Sequence, residues 1–520
     1  VLGTARIHAE DGGGSAHRPR GSSRRRWGRQ LVGLVADPVT RLPEQGTLRR
    51  LDLGESVSVL GKGEARYWTE SDGDVWLADS LPELITGTGD HKLSPGALAA
   101  FADRRGGIWL TPFTGVHRLT FGHRLEFAPR GPEVTRWLRP EANLDRRTSP
   151  REAPALLREV IEAEVAAALG PDVSALVAMS GGLDSTLVAA IAAEGASDPH
   201  LLTAYCAVPS PPPPPERIPR GRIADEWPLA EAVGEYTGIT TVRLANLDRV
   251  DWLDSVDSFH ARHFRSLPAQ SNYWWLAAME EAAMAAGHRI ILTGQSGNAT
   301  LSGGPPHAAP PLLADGSWAA GGLRARSLDA IRRLRAGAGA GGGGSWPSPV
   351  RPGLPVSMPD HVLAMDPWLR WCLADPPTGG RGPWTGADVT WVDPLGTASV
   401  ITAAMSLPTG VWHRRRRGVD RALARDLAAD LLPAAVGGNQ LRGQQGTDMP
   451  WLLLEHAEHY LAAIDRVCQS PTARTFLDTE ALAASGVLLR AGYAEAHVWQ
   501  QVYLNAIAVG LFADWWDRTE

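Results

Sequence analysis

Val177-Ala-Met-Ser-Gly-Gly-Leu-Asp-Ser185 is the stretch whose reading decides the fold. The apolar run 173–179 reads as a short buried strand, and Ser180, Gly181 and Gly182 let the backbone turn sharply behind it. Asp184, Ser185 and Thr186 are placed to cap a helix over 187–194. Strand, glycine turn and helix entry aim unpaired N–H groups and the positive end of a helix dipole at one spot, which suits a phosphate or pyrophosphate. Asp184, at the helix entry, is placed to hold a magnesium ion bridging that anion's oxygens. No Gly-Lys-Ser/Thr follows, which excludes the lysine-containing mononucleotide loop.

The composition bounds the class. A chain of 520 residues has room for two or three domains, and 44% hydrophobic with 21% charged residues is ordinary for a globular protein. No run of about 18 apolar residues occurs, and the polar, arginine-rich start lacks an apolar signal core, so a cytoplasmic protein without membrane insertion is expected. A net charge of −6 gives no global attraction to nucleic acid. Cys206, Cys372 and Cys468 are too few and too scattered for a disulfide framework or a zinc site. Lysine occurs only at Lys62 and Lys92, so chemistry around Ser180 cannot draw on a lysine from the same domain.

Working outward, residues 1–30 read as a flexible arm with the run Arg24-Arg25-Arg26 in solvent. Residues 31–145 read as an antiparallel β-rich domain, with strands at 31–35, 56–60, 65–68, 75–78 and 123–127 and one helix near 95–104. Residues 146–520 open with an amphipathic helix over 152–169, stopped by Gly170-Pro171, that leads into the Ser180 strand. Next come a strand at 201–208, an extended loop at 209–222 with five consecutive prolines, a helix at 225–238 capped by Asp225, and a strand at 239–245. A helix at 271–286 and a strand at 288–293 continue the alternation, which implies an α/β fold with a parallel, doubly wound sheet and ligands at the carboxyl ends of its strands. Asp225 and Glu226 would lie near that rim, as helix caps or as contacts to nucleotide or substrate. Segments 209–222 and 303–352 read as mobile, the second because 336–345 is nearly all glycine and alanine. A helix at 497–516 closes the chain.

Ser180-Gly-Gly-Leu-Asp-Ser185 resembles the pyrophosphate loop of the ATP pyrophosphatases, which split ATP into AMP and pyrophosphate and include asparagine synthetase and β-lactam synthetase. Thr111-Pro-Phe-Thr-Gly-Val-His-Arg-Leu-Thr-Phe-Gly-His123, followed by Trp137 and Pro140, is similar to the end of the glutaminase domain of asparagine synthetases. The nucleophile of that domain is an N-terminal cysteine; residue 1 here is Val and the first cysteine is Cys206, so glutamine hydrolysis is not expected. The domain is expected to serve as a scaffold or as part of a substrate groove.

Gly294-Gln-Ser-Gly-Asn298 stands where the family resembles Ser-Gly-Glu-Gly-x-Asp-Glu, which places Gln295 at the Glu position and Asn298 at the Asp position. An amide oxygen can still coordinate magnesium or accept a hydrogen bond, but without the charge. This form looks like that of asparagine synthetase homologues from peptide natural-product pathways, notably the lasso-peptide cyclases. The blocks Trp391-Val-Asp-Pro-Leu395, Ser406-Leu-Pro408, 414–418, 420–425, Leu432-Pro433 and Gly443-Gln-Gln-Gly446 resemble the C-terminal helical region of the family, with Arg421 at a lysine position and Arg425 at an arginine position.

The resemblance implies that Ser180, Gly181, Gly182, Asp184, Ser185, Gly294 and Gly297 contact ATP and pyrophosphate. It further implies that Asp184 and Asn298 serve Mg2+, and that Arg421, Arg425 and Gln295 serve catalysis. The implied reaction adenylates a carboxylate, releases pyrophosphate and lets an amine form an amide. A lasso-peptide macrolactam cyclase is the reading it favours: the N-terminal amine of a precursor core peptide joins an Asp or Glu side chain, with a leader peptidase and a leader-recognition protein as partners. A β-lactam-synthetase-like or asparagine-synthetase-like ligase using another amine or ammonia is the first alternative. A non-catalytic scaffold for nucleotide or peptide is the second.

Overall fold

Leu176 and Val177 are neighbours in sequence and both almost fully buried, yet they feed different hydrophobic cores. Side chains alternate across a strand, so this one lies in a sheet covered on both faces, as a parallel sheet requires. The computed structural model describes residues 48–61, 66–89, 91–104, 109–140, 149–303, 348–356, 358–363, 365, 367–373, 380–408, 411–412, 421–494 and 499–520. All of these belong to the unit Leu42–Glu520. The expected arm at 1–30, the strand at 31–35, the glycine-alanine stretch 336–345 and the arginine run 414–417 lie outside the described residues.

The β-rich part contains β1 (Arg49–Leu51), β2 (Ser56–Ser58), β3 (Arg66–Ser71), β4 (Asp74–Ala78), β5 (Val116–Leu119), β6 (His123–Ala128) and β7 (Gly131–Arg136). They form two antiparallel sheets, ordered β1-β4-β3-β5 and β2-β6-β7. Two helices accompany them where one was expected. Leu81–Thr88 is started by Ser80, whose Oγ accepts the Glu83 N–H at 3.3 Å, and Pro95–Ala102 by Ser94, whose Oγ accepts the Ala97 N–H at 3.3 Å. The core between the sheets is completed by Val362, Met365, Leu369 and Leu373 from much later in the chain.

The second part is built on β8 (Ala175–Ala178), β9 (Leu202–Val208), β11 (Thr240–Ala245), β12 (Ile290–Thr293), β13 (Gly380–Arg381) and β14 (Thr390–Val392), while β10 (Arg222–Ile223) and β15 (Arg442–Gly443) pair separately. The six-stranded order is β11-β9-β8-β12-β14-β13, parallel throughout except for the edge strand β13. Strand β8 comes first in sequence, with β9 and β11 on one side and β12 and β14 on the other, so the order reverses between β8 and β12. In open α/β sheets that switch point is where ligands bind. Register aligns the carboxyl ends there: Ala178 faces Tyr205 on one side and Thr293 on the other, and Leu292 faces Val392.

Helix bounds differ from expectation where local chemistry decides. The helix after β8 runs over Leu183–Gly195 with Gly182 as N-cap, so Asp184 and Ser185 occupy its first turn and do not cap it. The proline-rich segment 209–222 is not a free loop, since the Ser210 N–H reaches Asp448 Oδ2 at 3.3 Å and Arg222 pairs with Arg442. The closing helix is Leu504–Thr519, preceded by a wider π turn at Trp499–Tyr503.

Glu280, fully buried beneath β14, accepts four donors: the N–H groups of Trp384 (3.2 Å) and Thr385 (2.7 Å), Thr385 Oγ1 (2.6 Å) and Trp391 Nε1 (2.9 Å). Burial pushes its carboxyl up and these bonds oppose the rise. Glu280→Ala would strand all four donors in the interior, so a loss of about 3 kcal/mol or more is expected in denaturant unfolding.

Candidate functional site

The site grows from the turn after β8. Ser180 Oγ accepts the Gly182 N–H at 3.1 Å and lies 3.1 Å from Ser185 Oγ, while Ser185 Oγ accepts the Ser180 N–H at 3.0 Å. The two serines therefore brace the loop from inside. The first turn of Leu183–Gly195 presents N–H groups that have no intrahelical acceptor, the arrangement that attracts phosphate.

Asp184 projects from that first turn into an enclosed position. Ser302 Oγ donates to its Oδ1 at 2.5 Å. A Cβ at Gly297 would come within 2.5 Å and 2.6 Å of Asp184 Cβ and Cγ, and one at Gly294 within 2.8 Å of the Asp184 carbonyl. These glycines are thus needed for close approach of the 294–297 turn to the helix entry. Burial pushes the Asp184 carboxyl up to about 6; the Ser302 bond and the charge of Arg421 hold it down, Asp393 adds to the rise and Arg442 opposes it. The segment Asn298–Gly303 is a π turn, and it is what carries Ser302 round to Asp184.

Asp393 follows β14 and ties the turn in place: Oδ2 accepts the Ser296 N–H at 2.7 Å and Oδ1 the Leu395 N–H at 3.2 Å. Glu226 lies at the N-cap of the helix Trp227–Thr237, close to the 181–182 turn: a Cβ at Gly182 would be 4.0 Å from its Oε1. Burial pushes this carboxyl up to about 7 against the pull of Arg421, with Asp225 adding to the rise. Asp225 itself is turned elsewhere, accepting the Trp227 N–H at 2.9 Å and pairing with Arg243 at 3.0 Å.

The two arginines part company. Arg421 stands at the N-cap of Ala422–Ala428 in a left-handed conformation (φ 53°), donates to the Leu441 carbonyl at 3.4 Å, and places its charge near both Asp184 and Glu226. Backbone strain of that kind in a residue with a side chain is found where surrounding structure enforces it. Arg425 instead donates to the carbonyls of Gly437 (2.5 Å) and Asn439 (2.7 Å) and to Gln440 Oε1 (3.3 Å), so its guanidinium braces the 437–440 turn. Gln295 and Asn298 are both exposed on the turn after β12.

Ser180, Gly181, Gly182, Asp184, Ser185, Gly294 and Gly297 are thus brought together, with Glu226 and Arg421 beside them. Ser302, Asp393 and Arg442 join them without having been singled out from sequence. Asp393 had a signal, since it follows the apolar Trp391-Val392 at a strand's carboxyl end; Ser302 had none, because a π turn leaves no mark in local spacing.

Among the described residues no group of three or more His, Cys, Asp or Glu is arranged to hold a metal ion. Magnesium usually takes one or two carboxylates together with nucleotide phosphate oxygens, so a single acid, Asp184, held by one oxygen to Ser302 fits a site completed by ATP. Among the described residues no helix is long and apolar enough to cross a membrane.

Residues 156–341 match the family model described as asparagine synthase. No curated protein matches the chain. A solved structure of NMN synthetase from Francisella tularensis is similar at 16% identity and a TM-score of 0.19, over 29% of this chain and 58% of that one.

Proposed function

We propose that the chain is an AMP-forming amide ligase that adenylates an Asp or Glu side chain of a precursor core peptide and closes a macrolactam with the peptide's N-terminal amine, as a lasso-peptide cyclase does. The observation that carries the reading is the serine-braced loop 180–185 at the sheet's switch point, with Asp184 at its end under the positive charge of Arg421. Loop and helix N–H groups would hold the β- and γ-phosphates, which leave as pyrophosphate. Mg2+ bound at Asp184 would supply charge neutralisation between those phosphates. Arg421 would stabilise charge on the departing pyrophosphate, its fork matched to two phosphate oxygens.

Support for a peptide-sized substrate comes from Gln295 and Asn298, exposed amides on the rim where the resembled family carries acids. Amides offer donors and acceptors to a peptide backbone without repelling the carboxylate to be activated. The β-rich part, whose interior is filled by Val362, Met365, Leu369 and Leu373, fits a scaffold or groove wall. A leader peptidase and a leader-recognition protein would deliver the trimmed core peptide.

The test is mass spectrometry of a leader-free core peptide incubated with the protein, ATP and magnesium. Loss of one water from the peptide is expected. AMP without dehydrated peptide would transfer the chemistry to another acceptor, as in the β-lactam-synthetase-like or asparagine-synthetase-like alternative; neither product would favour a non-catalytic scaffold.

A further inference from the structure

We infer that Glu226 is a positioning residue that anchors the pyrophosphate loop to the Arg421–Gly443 segment, so that the loop's N–H groups and the Arg421 guanidinium face the phosphates in one fixed arrangement. The inference rests on the ATP reading above and goes beyond it by giving the site its internal brace.

The Glu226 side chain lies between the loop and the C-terminal segment. On the loop side, a Cβ at Gly182 would fall 4.0 Å from its Oε1. On its other side lies Gly443, where a Cβ would overlap both carboxylate oxygens. The positive charge of Arg421 acts on Glu226 as well as on Asp184.

The backbone around Gly443 shows why the approach is so close. Strand β15 lies parallel to β10, with Ile223 opposite Gly443; the Arg442 N–H reaches the Gly221 carbonyl at 3.0 Å and the Gln444 N–H the Ile223 carbonyl at 2.9 Å. Glu226 follows β10 by three residues, so this short ladder fixes its side chain against the C-terminal segment. Gly181 is fixed from the other side, since a Cβ there would fall 2.7 Å from Leu229 Cβ and 3.0 Å from the Glu226 carbonyl. Loop and helix entry therefore move as one body, and Glu226 joins that body to the strand that follows Arg421.

An acid beside a phosphate site would repel its ligand if it faced the phosphates directly. Here the carboxylate rests against Gly443, and burial that pushes it up to about 7 leaves part of the population uncharged near neutral pH. Its contribution is geometric: without it, the loop and Arg421 lose their common reference point.

The test uses the full chain and calorimetric binding of magnesium pyrophosphate, together with KM for ATP in pyrophosphate release. The wild-type protein should bind. Glu226→Ala should weaken pyrophosphate binding and raise KM for ATP tenfold or more, while Glu226→Gln, which keeps the size of the side chain and its packing against Gly443, should recover affinity to within about threefold. Gly443→Ala, which forces the segment off the carboxylate from the opposite side, should weaken binding in the same direction even if Glu226→Ala proves too unstable to assay. Wild-type affinity in Glu226→Ala or in Gly443→Ala, or equal losses in the Ala and Gln variants at position 226, would overturn the inference. Absence of binding by the wild-type chain would contradict the ATP reading itself and the brace with it.

Discussion

Asp184→Asn lowers pyrophosphate-releasing turnover a hundredfold or more while leaving the protein folded. The side chain keeps its size and can still accept the Ser302 hydroxyl, so what is lost is the charge that would hold a cation against the phosphates. Losses of about 10²- to 10³-fold are usual when one preorganised electrostatic group is removed from a reacting site.

The same charge carries a stability cost. The Asp184 carboxyl titrates near 6 in the folded chain against 3.8 without its surroundings. Between those values the folded state binds more protons than the unfolded one, so stability falls as pH rises from about 4 through 6 and stays lower above. The penalty at neutral pH is roughly 2 to 3 kcal/mol for a shift of this size. Asp184→Asn is therefore expected to melt higher than wild type at pH 7.5, with the gain vanishing below pH 4. Activity should run the other way, declining in the wild type as pH falls through about 6, where the carboxyl takes up its proton. Turnover unimpaired in the variant would remove Asp184 from the metal site.

Arg421→Ala is expected to cost about a hundredfold in turnover, since on the proposed reading it would withdraw the positive charge that stabilises the leaving group. Both Asp184 and Glu226 are held down by this arginine, so its loss lets both carboxyls rise further and moves the acid limb of the rate profile to higher pH. Alanine inherits the same left-handed backbone, so no new strain is introduced at φ 53°. Arg421→Lys keeps the charge without the fork and should fall between wild type and alanine. An unchanged rate with an unchanged pH profile would make Arg421 a structural residue.

How much of this was legible in sequence depends on how local the signal is. The parallel sheet followed from the alternation of apolar runs and helical spacing between Ala175 and Thr293, and that alternation also located the 180–185 and 294–297 turns at strand ends. The helix Leu81–Thr88 was overlooked although Ser80-x-x-Glu83 is the pattern that marks a helix start. Helix entry at 183 escaped because polar residues at 184–186 look like caps, whereas the turn is braced by Ser180 and Ser185 and leaves Gly182 at the cap. Arg421 and Arg425 are one helical turn apart and indistinguishable by charge; only the carbonyls of the 437–440 turn, which claim Arg425, separate them. Glu226 and Gly443 lie far apart in sequence, and nothing local announces that one would rest against the other.

The central claim is cleavage of ATP between its α- and β-phosphates, and the most direct measurement is phosphorus NMR of the full chain with ATP, magnesium and a leader-free core peptide. The account predicts AMP and pyrophosphate appearing together, in step with dehydrated peptide and absent in Asp184→Asn. ADP and orthophosphate formed in step with amide product would contradict it, since a loop built for pyrophosphate would then be transferring the terminal phosphoryl group.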